Sequence, residues 1–157
     1  MKPLYSLFAA LTILAASTNL SLATEKYKLD PRHTNIIWKV GHFGFSFPSG
    51  KFTNTEGTLI LDEKDLSKSK IEVTIKLATI TTGEKKFDNH LSSPDFFNVK
   101  KFKVAKFKST EIVMKSNNKA KIHGALTLNG VTKPIVLDAK LNKIGPSPAT
   151  KQKTAGF

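Results

Sequence analysis

KIHGALTLNGVTKPIVL, Lys121 to Leu137, is the stretch that decides the fold class. Asn129-Gly130 separates two apolar alternations, and a two-residue type I′ turn prefers that dipeptide because both central residues take positive φ. Pairing outward from the turn sets Leu128 opposite Val131, Gly124 opposite Ile135 and Ile122 opposite Leu137, which gathers the apolar side chains on one face. Pro134 has no N–H to donate and belongs at an edge, a bulge or a non-bonded ladder position.

Period two recurs upstream. Val104 to Val113 sets Ala105, Phe107 and Ser109 against Lys106 and Lys108, and Lys70 to Thr82 sets Ile71, Val73, Ile75 and Leu77 against Glu72, Thr74, Lys76 and Ala78. Lys51 to Asp62 changes phase between Phe52 and the pair Leu59 and Leu61, which predicts a bulge or sharp bend near Gly57. Before it, Ile36, Trp38, Val40 and His42 share one strand face; beyond Leu141, Gly145-Pro146-Ser147-Pro148 reads as a loop. About six strands at this spacing make an all-β, antiparallel, barrel-like domain.

One stretch departs from the strand pattern: FDNHLSSPDFFNV, Phe87 to Val99. Thr81 followed by Glu84 has the form of a capping box, and Phe87, His90 and Leu91 fall on one helical stripe. Ser93-Pro94 reads as a second N-cap with Pro at the first helical position. A short helical insertion this apolar is placed to cover one end of the barrel, over a core or over a ligand.

Met1-Lys2, the apolar run Leu4 to Ala16 and the small residues of Ser21-Leu22-Ala23 read as a cleaved signal peptide over residues 1–23, leaving one domain over 24–157. The chain has no Cys, which excludes thiol chemistry, thiolate metal sites and disulfide staples. The leader holds one Lys and no acid, so 25 − 1 = 24 basic and 12 acidic residues remain, a net charge of +12. Export argues against nucleic acid as the partner, and so does the presence of a single Arg, Arg32, since Arg supplies the fork that grips phosphate and guanine. The lysines read as a solvated exterior with attraction to an anionic membrane surface.

His33, His42, His90 and His123 form no i, i+4 pair on a helix, so the sequence supports no metal site. Asp88 and His90 do not face each other at i, i+2, and no nucleophile or oxyanion loop accompanies them; they read as braces of the insertion. No phosphate loop or dinucleotide fingerprint is present, and no cofactor is called for. Nine of the eleven Phe lie between Phe43 and Phe107. Phe43, Phe45 and Phe47 alternate among Gly, Ser and Pro, an aromatic row that reads as the mouth of a cavity.

Tyr27-Lys28-Leu29-Asp30 with His33, Val40-Gly41-His42, Gly50-Lys51-Phe52, Asp88 through Val99 and Gly124 through Pro134 stand in this order along the chain, and together they resemble the YceI family. The resemblance implies an exported bacterial protein of the periplasm with a lipocalin-like barrel that binds a polyisoprenoid, an isoprenoid quinone or a similar long amphiphile without turning it over, as a homodimer. Phe87 stands where many members carry Arg, and Lys103 where many carry Pro. The family normally continues beyond a Gly-Phe such as Gly156-Phe157 with a further strand, so the reading expects the chain to be a fragment whose barrel lacks its C-terminal strands.

The resemblance and the aromatic distribution name Trp38, Phe43, Phe45, Phe52, Leu91, Phe96, Phe97 and Phe107 as the apolar lining, with Arg32, His42 and His90 near a polar head. Two alternatives stand beside this: an enzyme acting on such a lipid through His90 and Asp88, and a cationic envelope-surface protein with a solid interior.

Overall fold

The computed structural model describes residues 24–157; the leader assigned to residues 1–23 lies outside the described residues. Eleven strands are found among the described residues: β1 Thr24–Lys28, β2 Ile36–Lys39, β3 Ser49–Phe52, β4 Thr55–Asp62, β5 Lys70–Lys76, β6 Ile80–Thr81, β7 Val104–Ser116, β8 Lys119–Leu128, β9 Val131–Lys140, β10 Lys143–Pro146 and β11 Lys153–Gly156. One α-helix, α1 Lys85–Leu91, interrupts them. Every named pairing is antiparallel. A large sheet has the order β1-β4-β5-β7-β8-β9; β2-β3-β6 and β10-β11 form smaller ones.

The β8–β9 hairpin carries the expected register, with Leu128 on Val131, Gly124 on Ile135 and Ile122 on Leu137. Asn129 (φ 50°) and Gly130 (φ 75°) make its turn. Pro134 lies in β9, the outermost strand of the large sheet, where a missing donor disrupts no further ladder. In β7 the inward Ala105 and Phe107 give way to Ile112 through a register shift between Ser109 and Glu111. Ser109 Oγ accepts from the N–H of Ile71 (2.9 Å) beside that irregularity, in place of a ladder carbonyl.

Four local expectations are corrected. The bend expected near Gly57 lies at Thr53-Asn54, where the chain leaves the small sheet for the large one. The Thr53 N–H donates to Thr79 O (3.2 Å), the Asn54 N–H to Thr79 Oγ1 (3.1 Å) and the Lys76 N–H to Asn54 O (3.0 Å). Both strand pairs thus change sheets at one corner. Gly57 stays in register opposite Val73, and a Cβ there would lie 2.9 Å from Glu72 O and 3.2 Å from Leu29 Cδ1, so a close approach explains it.

At α1 the N-cap is Glu84, whose carboxylate accepts from the N–H groups of Lys86 (3.0 Å) and Phe87 (2.6 Å), while Thr81 Oγ1 donates to Asp88 instead of capping. Ser93-Pro94 starts a turn and no second helix: Ser93 O accepts from Phe96 N and Asn98 N, and Asn98 takes φ 44°. Beyond Leu141 the expected loop is the hairpin β10–β11, and only Ser147–Gln152 turns, closed by Ser147 N to Gln152 O (2.8 Å).

Candidate ligand cavity

The inward face of the large sheet runs without interruption from one end to the other. On β5 it is Ile75, Val73, Ile71; on β7 it is Ala105, Phe107, Ile112, Met114; on β8 it is Leu126, Gly124, Ile122, Ala120. At the end nearer the small sheet the side chains interlock. Phe52, Ile75, Leu77, Ile80, Leu91 and Ala105 are buried together, with Leu77 fully enclosed, and α1 lays Phe87 and Leu91 against them. Aromatic edges seal this end: Phe52 meets Phe97 at 5.4 Å and Trp38 meets Phe87 at 6.4 Å between ring centroids.

The other end packs Ile112 and Ile122 with Ile71, Met114, Ala120 and Ala139 but leaves a gap. Leu59 and Leu61 of β4, Ile71 of β5, Ile112 and Met114 of β7, Ala120 and Ile122 of β8 and Ala139 of β9 surround an apolar cavity of about 40 Å³, joined by Leu66, Leu141 and Phe157. A flat sheet would hold β4 and β9 about 19 Å apart, four strand spacings of about 4.8 Å. Side chains from both meet round one cavity, so the sheet is strongly curled with this cavity on its concave side. Phe107 stands between the two ends, across a Gly124 whose Cβ, if it had one, would meet the ring at 2.5 Å and Lys108 O at 2.6 Å.

The β10–β11 hairpin is tied to β1 and to the end of β4 by charge. Lys153 Nζ donates to Glu25 of β1 (2.7 Å) and to Glu63 at the end of β4 (2.6 Å), and Phe157, directly after β11, reaches the cavity. The two carboxylates hold the Lys153 ammonium above the usual lysine range, and Lys153 and the Tyr27 hydroxyl hold Glu25 below the usual carboxylate range. Burial, followed by its hydrogen bond to Glu25 (2.8 Å), pushes the Tyr27 phenol up to about 12.

The side chains named from sequence fall in five places. Trp38, Phe52, Leu91 and Phe97 come together in the packed end, and Phe107 separates that end from the cavity. Phe43 and Phe45 are 86% and 90% exposed on the loop between β2 and β3, with His42 beside Phe43 (4.8 Å between rings). Phe96 is exposed against the His90 ring (4.9 Å), and His90 Nε2 lies 3.4 Å from Asp95 Oδ2. Arg32 is exposed in the turn after β1, where its N–H bonds Asp30 (2.9 Å).

The cavity is therefore lined by aliphatic residues that the emphasis on aromatics passed over. Their signal was available: Leu59, Leu61, Ile71 and Ile122 hold the inward phase of their strands. Asp88 is committed to structure, accepting from Thr82 N (2.6 Å), Thr82 Oγ1 (2.7 Å) and Thr81 Oγ1 (3.1 Å), and these bonds, the Thr82 hydroxyl foremost, hold its carboxyl below the usual range. It joins the end of β6 to α1. No group of three or more His, Asp or Glu able to hold a metal occurs among the described residues.

The YceI-like domain model matches residues 27–157. A UPF0312 protein of Photorhabdus laumondii is 40% identical over 147 residues, covering 94% of this chain and 76% of the relative. The crystal structure of the Campylobacter jejuni YCEI protein superposes with a TM-score of 0.65 at 32% identity, over 82% of this chain and 75% of that one. A domain from Saccharophagus degradans described as polyisoprenoid binding and implicated in plant cell wall breakdown shares the fold at a TM-score of 0.50 and 15% identity, over 77% of this chain and 65% of that one. A curled antiparallel sheet with a helical cover at one end, a domain match over nearly all the described residues and relatives at this identity place the chain in the YceI family.

Proposed function

We propose that this protein is an exported, non-enzymatic carrier that holds the apolar tail of a long-chain isoprenoid lipid or isoprenoid quinone on the concave face of its large sheet. The observation that carries the reading is the apolar cavity of about 40 Å³ left at one end of that face, to which five strands send aliphatic side chains. The Saccharophagus domain of the same fold, described as polyisoprenoid binding, supports the choice of ligand class. The N-terminal run of apolar residues supports export.

The physics favours a tail over a head. Each buried CH₂ contributes about 0.8 kcal/mol, so a few isoprene units bind firmly without an ionic anchor. The free volume is about 40 Å³, against roughly 300–1,000 Å³ for an occupied small-molecule site. Loading therefore displaces side chains at the cavity's edge, the flexible Met114 and the Phe157 that follows the hairpin Lys153 tethers, and the tail advances towards Phe107. Turnover has less support, since the Asp88 oxygens are bound to Thr81 and Thr82 and its carboxyl is held low, the wrong direction for an acid or base near neutral pH.

The test is purification of the full chain under mild conditions from its native host, followed by organic extraction and mass spectrometry. A prenyl lipid recovered at about one per protein chain is the expected result. Repeated preparations free of lipid, from cells in which the lipid is abundant, would contradict the reading.

A further inference from the structure

The hairpin of β2 and β3 ends in an exposed tip one residue longer than the turn between β8 and β9, with the same two positive φ angles at its centre. Val40 N donates to Pro48 O (3.0 Å), His42 N to Ser46 O (2.9 Å) and Phe45 N to His42 O (2.9 Å), closing a turn whose central residues are Phe43 (φ 51°) and Gly44 (φ 79°). Asn129-Gly130 holds nearly the same angles, 50° and 75°. Asn adopts positive φ readily; a bulky aromatic residue there is an outlier that the backbone disfavours. Phe43 has no packing to offset this, since it is 86% exposed and its aromatic neighbour is His42, itself at the surface.

The rest of the tip is of one kind. Phe45 and Phe47 are exposed, as are Val40 and Ile37 below them. The segment from Asn35 to Phe52 contains Lys39 and Lys51 and no acid, and Lys39 Nζ sits 5.1 Å from the Phe47 ring centroid. The chain as a whole carries +13. Aromatic side chains on a narrow projection, with Lys39 over one ring and backed by a strongly positive domain, match the interface of a bilayer, where rings sit at headgroup depth and lysines meet phosphates. A protein partner would more often be offered a broad apolar face with a mixed-charge rim.

We propose that the Phe43-Gly44-Phe45 tip is a membrane-docking finger that inserts into the surface of a bilayer containing anionic phospholipid. Its strained turn holds Phe43 outward for that contact. The inference stands apart from the contents of the cavity: vesicle binding reads the finger, and lipid uptake in vesicle-free solution reads the carrier.

The test is co-sedimentation of the full chain with vesicles of phosphatidylglycerol and phosphatidylcholine, beside vesicles of phosphatidylcholine alone. The parent binds the anionic vesicles more tightly, and the F43N/F45S variant loses at least about tenfold in partitioning, the scale set by two buried rings. F43N alone keeps or raises the thermal midpoint, because it supplies the Asn-Gly pair that a type I′ turn prefers. In F43W the new indole is quenched by brominated phospholipid. Equal partitioning of parent and F43N/F45S, no preference of the parent for anionic vesicles, or no quenching of F43W would each overturn the proposal. A clear fall in the F43N midpoint would do so too, by returning Phe43 to a structural role.

Discussion

The two ends of one concave face are built from the same alternation and finished differently. At the packed end Leu77, Ile80 and Ala105 interlock with Leu91 of α1, and Phe52, Phe97, Trp38 and Phe87 close the remaining space edge to face. At the cavity end Leu59, Ile71, Ile112 and Ile122 face inward with the same regularity, yet what joins them there is Leu66, Leu141 and Phe157, the last two flanking a two-stranded hairpin fixed by one lysine and two glutamates. The difference teaches that strand periodicity decides which side chains point inward, while the elements beside them decide how completely they fill the space between them. A close-packed end gives stability; an end beside a tethered hairpin retains room for a guest.

Deleting volume should separate the two ends most strongly. Leu77→Ala removes a side chain with no exposure and should cost about 3 kcal/mol in urea unfolding, whereas Met114→Ala beside the cavity should cost about 1 kcal/mol. Equal losses would break the comparison. Adding volume should reverse the sense: Ala105→Leu overpacks the closed end and loses about 2 kcal/mol, while Ala139→Leu grows into free space and changes stability by no more than about 0.5 kcal/mol.

Smaller effects sharpen the picture of what closes each end. Asp88 has its carboxyl held below the ordinary value by Thr81 and Thr82, so the stability it contributes is present above that ordinary value and is lost as pH falls through the lowered one. The parent should therefore lose melting temperature in that acid window, and D88N should start lower and vary less across it. A D88N profile parallel to that of the parent would remove Asp88 as the strap of α1. The smallest change is expected from K153M, which frees the hairpin without touching the sheet: amide exchange over residues 143–156 should quicken while β7 and β8 keep their protection. Unchanged exchange there would show that the tether does not hold the hairpin.

Much of this architecture was legible where local and global signals agree. Asn129-Gly130 and the alternation on either side specify one register, and Pro134 narrows its strand to an edge. The sheet change at Thr53-Asn54 was not legible, because it is made by hydrogen bonds to Thr79, twenty-five residues away, and carries no Gly or Pro; Gly57 drew the bend to itself for a different reason, the approach of Leu29. Glu84 was visible in a capping pattern, but its position as the cap rather than the partner depended on Thr81 being drawn to Asp88. The cavity lining was hidden in plain alternation. Ile71 and Ile75 look alike along β5, and only their surroundings distinguish them, Leu91 of α1 packed in with Ile75 and Phe157 at the cavity that Ile71 lines. Phe43 and Phe45 attract notice in any reading, yet their exposure follows from the turn at Phe43-Gly44, which composition alone does not reveal.

The central claim is that the unfilled end of the concave face takes the tail of an isoprenoid lipid. Its most direct test is native mass spectrometry of the full chain titrated with a long-chain prenyl alcohol, run side by side on the parent and on A139L. The account predicts a saturable complex of one lipid per chain for the parent and a loss of at least about tenfold in affinity for A139L at unchanged thermal midpoint. Equal binding by the two proteins, or no binding by the parent, would contradict it.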